Sequence, residues 1–377
     1  MNLIKKLLVR TLINGRIHRI EKTYNKKICS IPYENGSIDP GYAEKYRKRW
    51  ETLSRRKLNT KWLSWYTQCS GTYSLDYVPE SLYYSIIEPV LNCSEYASSY
   101  SDKNFYDLYY PEGIFPETLL RNIENSFYDK NYAPVLLSNN DQLIDLISES
   151  ESVIVKPAID SGGGINVELF SLAGNRFFNR TGKELTLDYL IRHYKSEFII
   201  QKRLIQHSFL SQFNNTSVNT IKCFTYRSTE TNLIEVLHMV LRVGIKDEIV
   251  DNSRAGGLSV GISKEGRLNT YAIKKDGKKM TKINDVDLLE RSYFIPSIEE
   301  VKAIARAIAK KNIHHRLLSL DMTIDESGHV RCLEVNNMGS EINFFQLNNG
   351  PLFGTFTDEV INFCWKYREN RFKSYLI

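Results

Sequence analysis

The sequence LSLDMTIDESGHVRCLEVNN at residues 318–337 constrains the fold more than any other part of this chain. Two runs of alternating apolar and polar residues meet at Ser327-Gly328, a pair typical of a tight turn, so the stretch predicts a β-hairpin. If the turn has two residues, Glu326 pairs with His329. Counting back along both strands then places Asp321 directly opposite Glu334.

Side chains alternate between the two faces of a strand, so the predicted hairpin has one polar and one apolar face. The polar face carries Ser319, Asp321, Thr323, Cys332, Glu334 and Asn336, and the apolar face carries Leu320, Met322, Ile324, Leu333 and Val335. Facing carboxylates repel each other unless a positive charge lies between them. Carboxylate and amide oxygens suit a hard cation, so Asp321, Glu334 and Asn336 are candidate Mg²⁺ ligands. The alternative is a solvent-facing polar strand pair, and a bulge would change the register.

The composition is that of a folded protein with two or three domains, because 377 residues with 42% apolar residues can bury a sizeable core. No apolar run approaches the length of about 18 residues that spans a bilayer. Lys5, Lys6 and Arg10 interrupt the apolar start, which argues against a secretory signal. The six cysteines are scattered, which argues against a zinc site or a disulfide framework and favours a reducing cytoplasm.

The N-terminal part of the chain is basic. Residues 1–60 contain 15 Lys or Arg and 5 Asp or Glu, a net charge of +10, whereas the whole chain has +6. Residues 1–28 predict a helix with Leu and Ile on one side and Lys and Arg elsewhere. Further helices are predicted at about 41–69 and 79–91.

From about residue 100 strands and helices alternate, which indicates a mixed α and β architecture. A cluster of Ser, Tyr and Asn at 95–102 marks the predicted boundary. Strands are predicted at 153–157, 165–170, 197–201, 219–228 and 233–244 and in the hairpin. Helices are predicted at 115–125, 141–149, 185–194, 298–317 and 354–368.

The stretch VIVKPAIDSGGGINVELF places Lys156 at the end of an apolar strand, followed by a glycine loop and a second strand. Glycines allow backbone N–H groups to surround phosphate oxygens, and Ser161 adds a hydroxyl. The loop does not lead into a helix and has no GK[ST], so it is not a Walker P-loop. The alternative is a flexible β-hairpin.

Two cations lie within apolar strands. Alternation in VNTIKCF places Thr220 and Lys222 on one face, and a Lys on a central strand requires an anionic partner such as a phosphate. Arg242 in VLRVG is a second such case. At a sheet edge, either side chain would be solvated instead. The strand EFIIQKRLIQH ends in residues that could present backbone groups and Leu204 to a nucleobase, although a plain strand end is the simpler interpretation.

Taken in order, these residues resemble the ATP-grasp superfamily. The most specific element is the final Asp321 followed by LEVNN, because ATP-grasp enzymes hold two Mg²⁺ ions with Asp, Glu and Asn in that order. The chain is most similar to the sugar-transfer-associated ATP-grasp proteins of bacterial surface-polysaccharide loci. The matching features, which cover about residues 75–355, are YVPESLYYSIIEPVLN, SDKN, VIVKP, SGGG, QKRL, IQH, VNTIK, LRVG, DNSRAGG and FFQLNNGPLFG.

The resemblance implies an α+β ATP-grasp fold, in which two α/β subdomains enclose ATP, preceded by the basic, mainly helical N-terminal region. The implied domains are residues 1–98, 99–203 and 204–377. Lys103 and Lys156 would contact the α- and β-phosphates. The implied nucleotide site also includes the loop Ser161, Gly162, Gly163 and Gly164, then Gln201, Lys202 and Leu204 at the adenine and His207 at the ribose.

Lys222 would contact the γ-phosphate, and Asp321, Glu334 and Asn336 would hold Mg²⁺. The chain departs from many carboxylate ligases at Ser319, where an Arg often stabilises the reaction centre. Arg242 or Arg254 would have to replace it.

The family implies a carboxylate–amine ligase that forms an acyl phosphate, here joining an amine or amino acid to a sugar acid or related carboxylate of a surface glycan. The alternatives are a kinase acting on a sugar or glycan hydroxyl and a non-catalytic nucleotide-binding protein. No nucleic-acid-binding motif accompanies the basic N-terminus, which argues against a nucleic-acid partner.

Residues 1–28 have two interpretations. As an amphipathic basic helix they would contact an anionic membrane surface at the cytoplasmic face. Alternatively, Leu3, Leu7, Leu8 and Leu12 pack onto the ATP-binding domain while the basic side faces solvent.

Overall fold

The computed structural model describes residues 3–31, 38–54, 56–159, 164–244 and 257–371, with side chains from residue 10 to residue 368 of these ranges. The chain before the first strand is built from helices, as predicted. They are α1 (Leu3–Ser30), α2 (Pro40–Trp50), α3 (Lys61–Ser70), α4 (Glu80–Leu82), a π-helical turn at Tyr83–Ile87, α5 (Glu88–Leu91), α6 (Ala97–Ser101), a 3₁₀ turn at Lys103–Phe105 and α7 (Tyr106–Tyr109). No helix within the described residues is long and apolar enough to cross a membrane.

The long helix α1 packs against the protein through one face. Ile13, Ile17 and Ile28 are buried, at spacings that place them on the same side of a helix. The side chains of Leu3, Leu7 and Leu8 lie outside the described residues, and Leu12 is 58% exposed. The expectation that Leu12 packs against the protein was therefore wrong, and Ile13 packs against it instead.

The first sheet has the strand order β3-β2-β1-β7-β4-β5-β6, with antiparallel pairing throughout. The helices α8 (Asn140–Ile147) and α9 (Leu187–His193) belong to this part of the chain. The strands are β1 (Thr118–Ile123), β2 (Ser126–Asp129), β3 (Pro134–Val135), β4 (Ser152–Pro157), β5 (Glu168–Ala173), β6 (Arg176–Asn179) and β7 (Phe198–Lys202).

The predicted helix at 115–125 is wrong, because this stretch forms β1. The spacing of Leu119, Leu120 and Ile123 fits a helix as well as a strand buried on both faces. The contacts that this stretch makes with the rest of the protein stabilise the strand. Leu120 is fully buried, and the Arg121 guanidinium is buried by bonding to Asn104 O, Asp129 O and the Asp107 carboxylate.

The second sheet, with the order β12-β11-β10-β9-β8-β15-β16, is also antiparallel. Its strands are β8 (Thr220–Arg227), β9 (Ile234–Val243), β10 (Leu258–Ile262), β11 (Leu268–Ile273), β12 (Lys279–Met280), β15 (Leu317–Ile324) and β16 (Val330–Asn336). A separate two-stranded sheet joins β13 (Lys282–Ile283) and β14 (Val286–Asp287). The helices of this part are α10 (Ser208–Ser211), α11 (Ile298–Lys311), α12 (Asn343–Asn349) and α13 (Thr357–Arg371).

The two faces of the second sheet have different surroundings. Ile221 and Cys223 of β8 belong to a core shared with α11, whereas Phe224 and Tyr226 belong to a core shared with the N-terminal helices and with α12 and α13. Lys222 lies on the same face as Phe224 and Tyr226, because side chains alternate. The N-terminal helices therefore cover one end of the face that carries Lys222.

Candidate functional site

A cavity of about 580 Å³ is lined by residues of both seven-stranded sheets. The first sheet and its loops contribute mainly apolar side chains together with Lys156 and Lys202, and the second contributes most of the charged side chains. The lining residues include Lys103, Pro116, Ile154, Lys156, Gly164, Val167, Leu169, Gln201, Lys202, Leu204, Thr220, Lys222, Arg242, Ser319, Asp321, Leu333, Glu334, Asn336, Gly339, Ser340 and Glu341. This set contains most of the residues expected from the sequence.

The hairpin of β15 and β16 confirms the predicted pairing of Asp321 with Glu334, although by a different route. The turn has three residues, because Asp325 N donates to His329 O and Gly328 adopts φ +86°, a conformation that favours glycine. This turn shifts the register by one residue. A bulge between Asp321 and Met322 shifts it back.

The bulge exchanges two side chains relative to the predicted faces. Cys332 pairs with Met322 and is fully buried in the core beside α11, whereas Leu333 lines the cavity. The assignment of Cys332 to the polar face and Leu333 to the apolar face was therefore wrong. The cause is the extra residue on β16, which a strictly alternating pattern does not anticipate.

Lysines lie beside both carboxylates of the hairpin. Lys222 Nζ is 2.7 Å from Asp321 Oδ1, on the neighbouring strand, and Lys103 Nζ is 2.9 Å from Glu334 Oε1. Asn336 Nδ2 donates to Asp321 Oδ2 at 3.3 Å. Each of the two facing carboxylates is thus paired with its own ammonium group.

Lys156 is half-buried and lines the cavity. Burial, followed by the nearby charge of Lys103, lowers the pKa of its ammonium group to about 8, and Glu334 opposes this shift. Lys103 is itself fixed, because its backbone N–H donates to Ala158 O at 3.1 Å. Two ammonium groups held close together in a poorly solvated site repel each other, so the site favours the binding of an anion.

The apolar part of the cavity lies between the sheets. Ile154 and Leu169 come from the first sheet, Leu333 from the second, and Leu204 from the segment that connects them. Gln201 lines this region, but its amide donates to Pro116 O and Thr118 Oγ1, so its side chain serves to hold β7 against β1. These apolar side chains, from both sheets and from the segment between them, form the apolar slot of the cavity.

Several expected residues lie elsewhere. His207 is not among the cavity-lining residues; its Nδ1 accepts from Phe209 N at 3.1 Å and caps α10. Ser161, Gly162, Gly163 and Arg254 lie outside the described residues, while Gly164 lines the cavity. Arg242 lines it too, with its guanidinium 5.8 Å from the Phe344 ring, and Lys222 Nζ is 5.9 Å from the same ring.

Sequence reasoning missed the segment Gly339–Ser340–Glu341, which lines the cavity directly after β16. The sequence did contain a signal for this segment. Residues that directly follow β16 must lie near Glu334 and Asn336 at the end of that strand. Thr220 was placed on the correct face by alternation but was not recognised as a site residue.

The donor set fits a hard cation. Two carboxylates and an amide from adjacent strands line one cavity, and the fully buried Ser319 Oγ, which also lines it, has no hydrogen-bond partner. In the described parts of the chain, no group of three His, Cys, Asp or Glu side chains that could hold a metal ion is found, here or elsewhere. These are oxygen ligands of the kind that Mg²⁺ shares with phosphates.

A family model described as sugar-transfer associated ATP-grasp matches residues 88–360. Among solved structures, the ATP-grasp ligase PsnB with its minimal precursor is 16% identical, with a TM-score of 0.37, and covers 72% of this chain. The chain spans 63% of the length of that ligase. D-alanine–D-alanine ligase from Bacillus anthracis is 12% identical, with a TM-score of 0.39, and covers 72% of this chain and 69% of its own length.

VanG D-Ala:D-Ser ligase from Enterococcus faecalis is 13% identical, with a TM-score of 0.39, and covers 73% of this chain and 64% of its own. No curated protein sequence matches the chain. The family model covers well over half of the residues and begins at Glu88, within the helical region. The chain belongs to the sugar-transfer associated ATP-grasp family.

Proposed function

We propose that this protein is an ATP-dependent carboxylate–amine ligase that joins an amino acid or amine to a sugar acid or related carboxylate during surface-polysaccharide synthesis. One observation carries the proposal. The three lysines Lys103, Lys156 and Lys222 line the same cavity as three oxygen-donor side chains and the apolar slot. The family description, which refers to sugar transfer, supports a glycan-related carboxylate.

The chain's own residues would hold Mg²⁺-ATP as follows. Lys103 and Lys156 would bind the α- and β-phosphates and Lys222 the γ-phosphate, while Asp321, Glu334 and Asn336 would hold two Mg²⁺ ions. The adenine would lie between Leu204 and Leu333. Since Lys222 and Lys103 pair with Asp321 and Glu334 here, binding would exchange these partners, with phosphates taking the lysines and metal taking the carboxylates.

Bound Mg²⁺-ATP supplies a phosphoryl group whose charge the site must neutralise. The substrate carboxylate oxygen would attack the γ-phosphorus, giving an acyl phosphate and ADP. The amine nitrogen would then attack the carbonyl carbon, phosphate would leave, and the nitrogen would lose a proton. Arg242, at the cavity wall beside Lys222, would stabilise charge on the reacting carboxylate; Arg254 is a second candidate outside the described residues.

One assay tests the proposal against its main alternative, a sugar or glycan kinase. The purified protein is incubated with ATP, Mg²⁺ and combinations of sugar acids and amines. We expect release of ADP and phosphate only when both a carboxylate and an amine are present, together with an amide product. ADP with a phosphorylated sugar, and no free phosphate, would establish the kinase instead. Failure of Mg²⁺ and a non-hydrolysable ATP analogue to bind would overturn both.

We also propose that the reaction takes place in the cytoplasm, with α1 in contact with an anionic membrane surface. The side of α1 that faces away from the core carries Arg19, Lys22 and Lys26, all exposed, while its acidic residue Glu21 is buried. Because Ile13 and Ile17 are buried in the protein, the contact would be electrostatic rather than an insertion of the apolar side. Each basic residue near such a surface contributes about 1 kcal/mol.

Co-sedimentation with vesicles containing anionic lipid tests this contact. We expect salt-sensitive pelleting that the combined changes Arg19→Ala, Lys22→Ala and Lys26→Ala abolish. The charge-matched control changes Lys130→Ala, Lys195→Ala and Lys282→Ala at exposed positions far from α1 in the sequence. Equal pelleting of both triple variants, or none by the unaltered protein at low salt, would refute the contact.

A further inference from the structure

The segment of the cavity wall at 339–341 is held by the N-terminal helical region. Tyr84 OH donates to Ser340 O at 2.9 Å, and Ser340 N donates to Glu88 Oε1 at 3.1 Å. The backbone N–H of Gly339 also lies near the Glu88 carboxylate and lowers its pKa. The backbone N–H and the backbone C=O of Ser340 therefore both form hydrogen bonds with side chains about 250 residues earlier in the chain.

The same region also holds Asn337, two residues before this segment. Asn92 Nδ2 donates to Asn337 O, and Asn337 Nδ2 donates to Ala97 O at 2.8 Å. Gly339 adopts φ +73°, a conformation that favours glycine, so the chain turns sharply at this point. A turn of this kind has little support from regular secondary structure and depends on its side-chain partners.

Glu88 lies in the protein interior, where its carboxylate depends on hydrogen bonds from the protein. It is 4% exposed and accepts a further hydrogen bond from Tyr83 OH at 3.2 Å. Burial raises the pKa of its carboxyl to about 7, and the N–H groups of Gly339 and Ser340 oppose that rise. A buried acceptor is costly to leave without partners, so Glu88 and the 339–341 backbone fix each other.

The position of 339–341 matters because of its neighbours. Phe344, three residues after Glu341, lies against both Lys222 and Arg242, the two cations at this end of the cavity. Most of the apolar slot, with Ile154, Leu169 and Leu204, belongs to the first sheet and its connection, whereas Leu333 comes from the second. The wall formed by 339–341 would therefore border the γ-phosphate end of a bound nucleotide, where the second and third substrates of the proposed ligase would lie.

We propose that Tyr84 and Glu88 are positioning residues that fix the backbone of residues 339–341 and so shape the acceptor end of the cavity. The first part depends only on the contacts; the acceptor role rests on the proposed function. The N-terminal helical region is then part of the substrate site, although none of its side chains before Lys103 lines the described cavity.

Hydrogen–deuterium exchange of the full chain, without ligand, tests the positioning. In Tyr84→Phe and in Glu88→Gln we expect exchange of the amides of residues 339–341 to rise about tenfold, the change expected for loss of one ordinary hydrogen bond. The matched control is Tyr77→Phe, which removes a hydroxyl bonded to Ser70 in the same core and leaves 339–341 unaffected.

Calorimetric titration with Mg²⁺ and a non-hydrolysable ATP analogue separates positioning from general damage. We expect both variants to retain nucleotide affinity within about twofold, since the lysines and metal ligands are untouched. Once an active substrate pair is known, Tyr84→Phe should raise KM for the acceptor and leave KM for ATP unchanged. Unchanged exchange at 339–341 in Tyr84→Phe, or an equal rise in Tyr77→Phe, would overturn the positioning. If the unaltered protein fails to bind the analogue, the proposed function fails, while the exchange result still stands.

Discussion

The two seven-stranded sheets are alike in strand number and antiparallel pairing, but they supply the cavity in different ways. The second sheet provides charged side chains directly from neighbouring strands, with Lys222 beside Asp321. The first sheet provides mainly apolar side chains with Lys156 and Lys202, and Lys103, from outside the sheet, makes the contact with Glu334. Strand register alone thus organises one half of the site, whereas the other half requires long-range packing.

The largest expected effect concerns the cores behind the sheets. Trp50 is fully buried in the core that joins the N-terminal helices to the second sheet, and Phe177 is fully buried in the core of the first sheet. Trp50→Ala and Phe177→Ala should each cost about 3–5 kcal/mol of unfolding free energy. Hydrogen exchange should rise in β8 and β9 for Trp50→Ala and in β4 to β6 for Phe177→Ala. If Trp50→Ala accelerates exchange only in α1 to α3, the N-terminal helices do not share a folding unit with the second sheet.

The next prediction tests the charged side chains that the second sheet contributes to the cavity. Glu334→Gln keeps the shape of the side chain but removes a charged oxygen ligand, and we expect kcat to fall about 100- to 1000-fold. Glu326→Gln, an exposed position in the same hairpin, is the control and should leave kcat unchanged. Turnover by Glu334→Gln at the unaltered rate would contradict the proposed role of Glu334 as a metal ligand.

A pH effect of about 3 kcal/mol is expected from Glu88, because burial raises the pKa of its carboxyl from 4.5 to about 7. The folded state binds this proton more tightly than the unfolded state. Its contribution to stability is therefore full below about pH 4.5 and is lost as the pH rises through about 7. Arg16, Tyr83 and Tyr84 face the same group and interact electrostatically with it.

Thermal unfolding at pH 5 and pH 7.5 measures this contribution as a difference. The unaltered protein should lose more stability between these values than Glu88→Gln does, since all other titrating groups are common to both. Identical pH dependence in the two proteins would show that Glu88 titrates near its ordinary value.

The smallest effect tests the first sheet. Lys156→Ala should weaken binding of Mg²⁺-ATP analogues about 10- to 100-fold, the range for a hydrogen bond to a charged group. Lys130→Ala, an exposed lysine next to β2 of the same sheet, should not change the affinity. Equal affinity of the two variants would mean that the phosphates lie against the second sheet alone.

The parts of the site that follow strand alternation could be predicted from the sequence. The parts that depend on turn length, or on contacts between residues far apart in the sequence, could not. Alternation placed Thr220 and Lys222 on one face and Asp321 opposite Glu334. It failed for Cys332 and Leu333, because the pattern does not reveal turn length or a bulge.

Two further failures have different physical origins. The run at 118–123 fits both a helix and a strand, and only pairing with β2 and β7 selects the strand. The contact of Glu88 with Ser340 joins positions 252 residues apart, so nothing local in either segment indicates it.

The turn and the bulge of the β15–β16 hairpin compensate each other, so the type of a surface turn decides which side chain reaches the cavity. In a hairpin of the same length closed by a two-residue turn at Ser327-Gly328, the register would be continuous, and Asp321 and Glu334 would still lie opposite each other. Leu333 would then lie on the core face, and Cys332 would lie on the face of Asp321. Substitutions that change the type of this turn would thereby exchange an isobutyl group for a thiol on the cavity side without any substitution in the cavity.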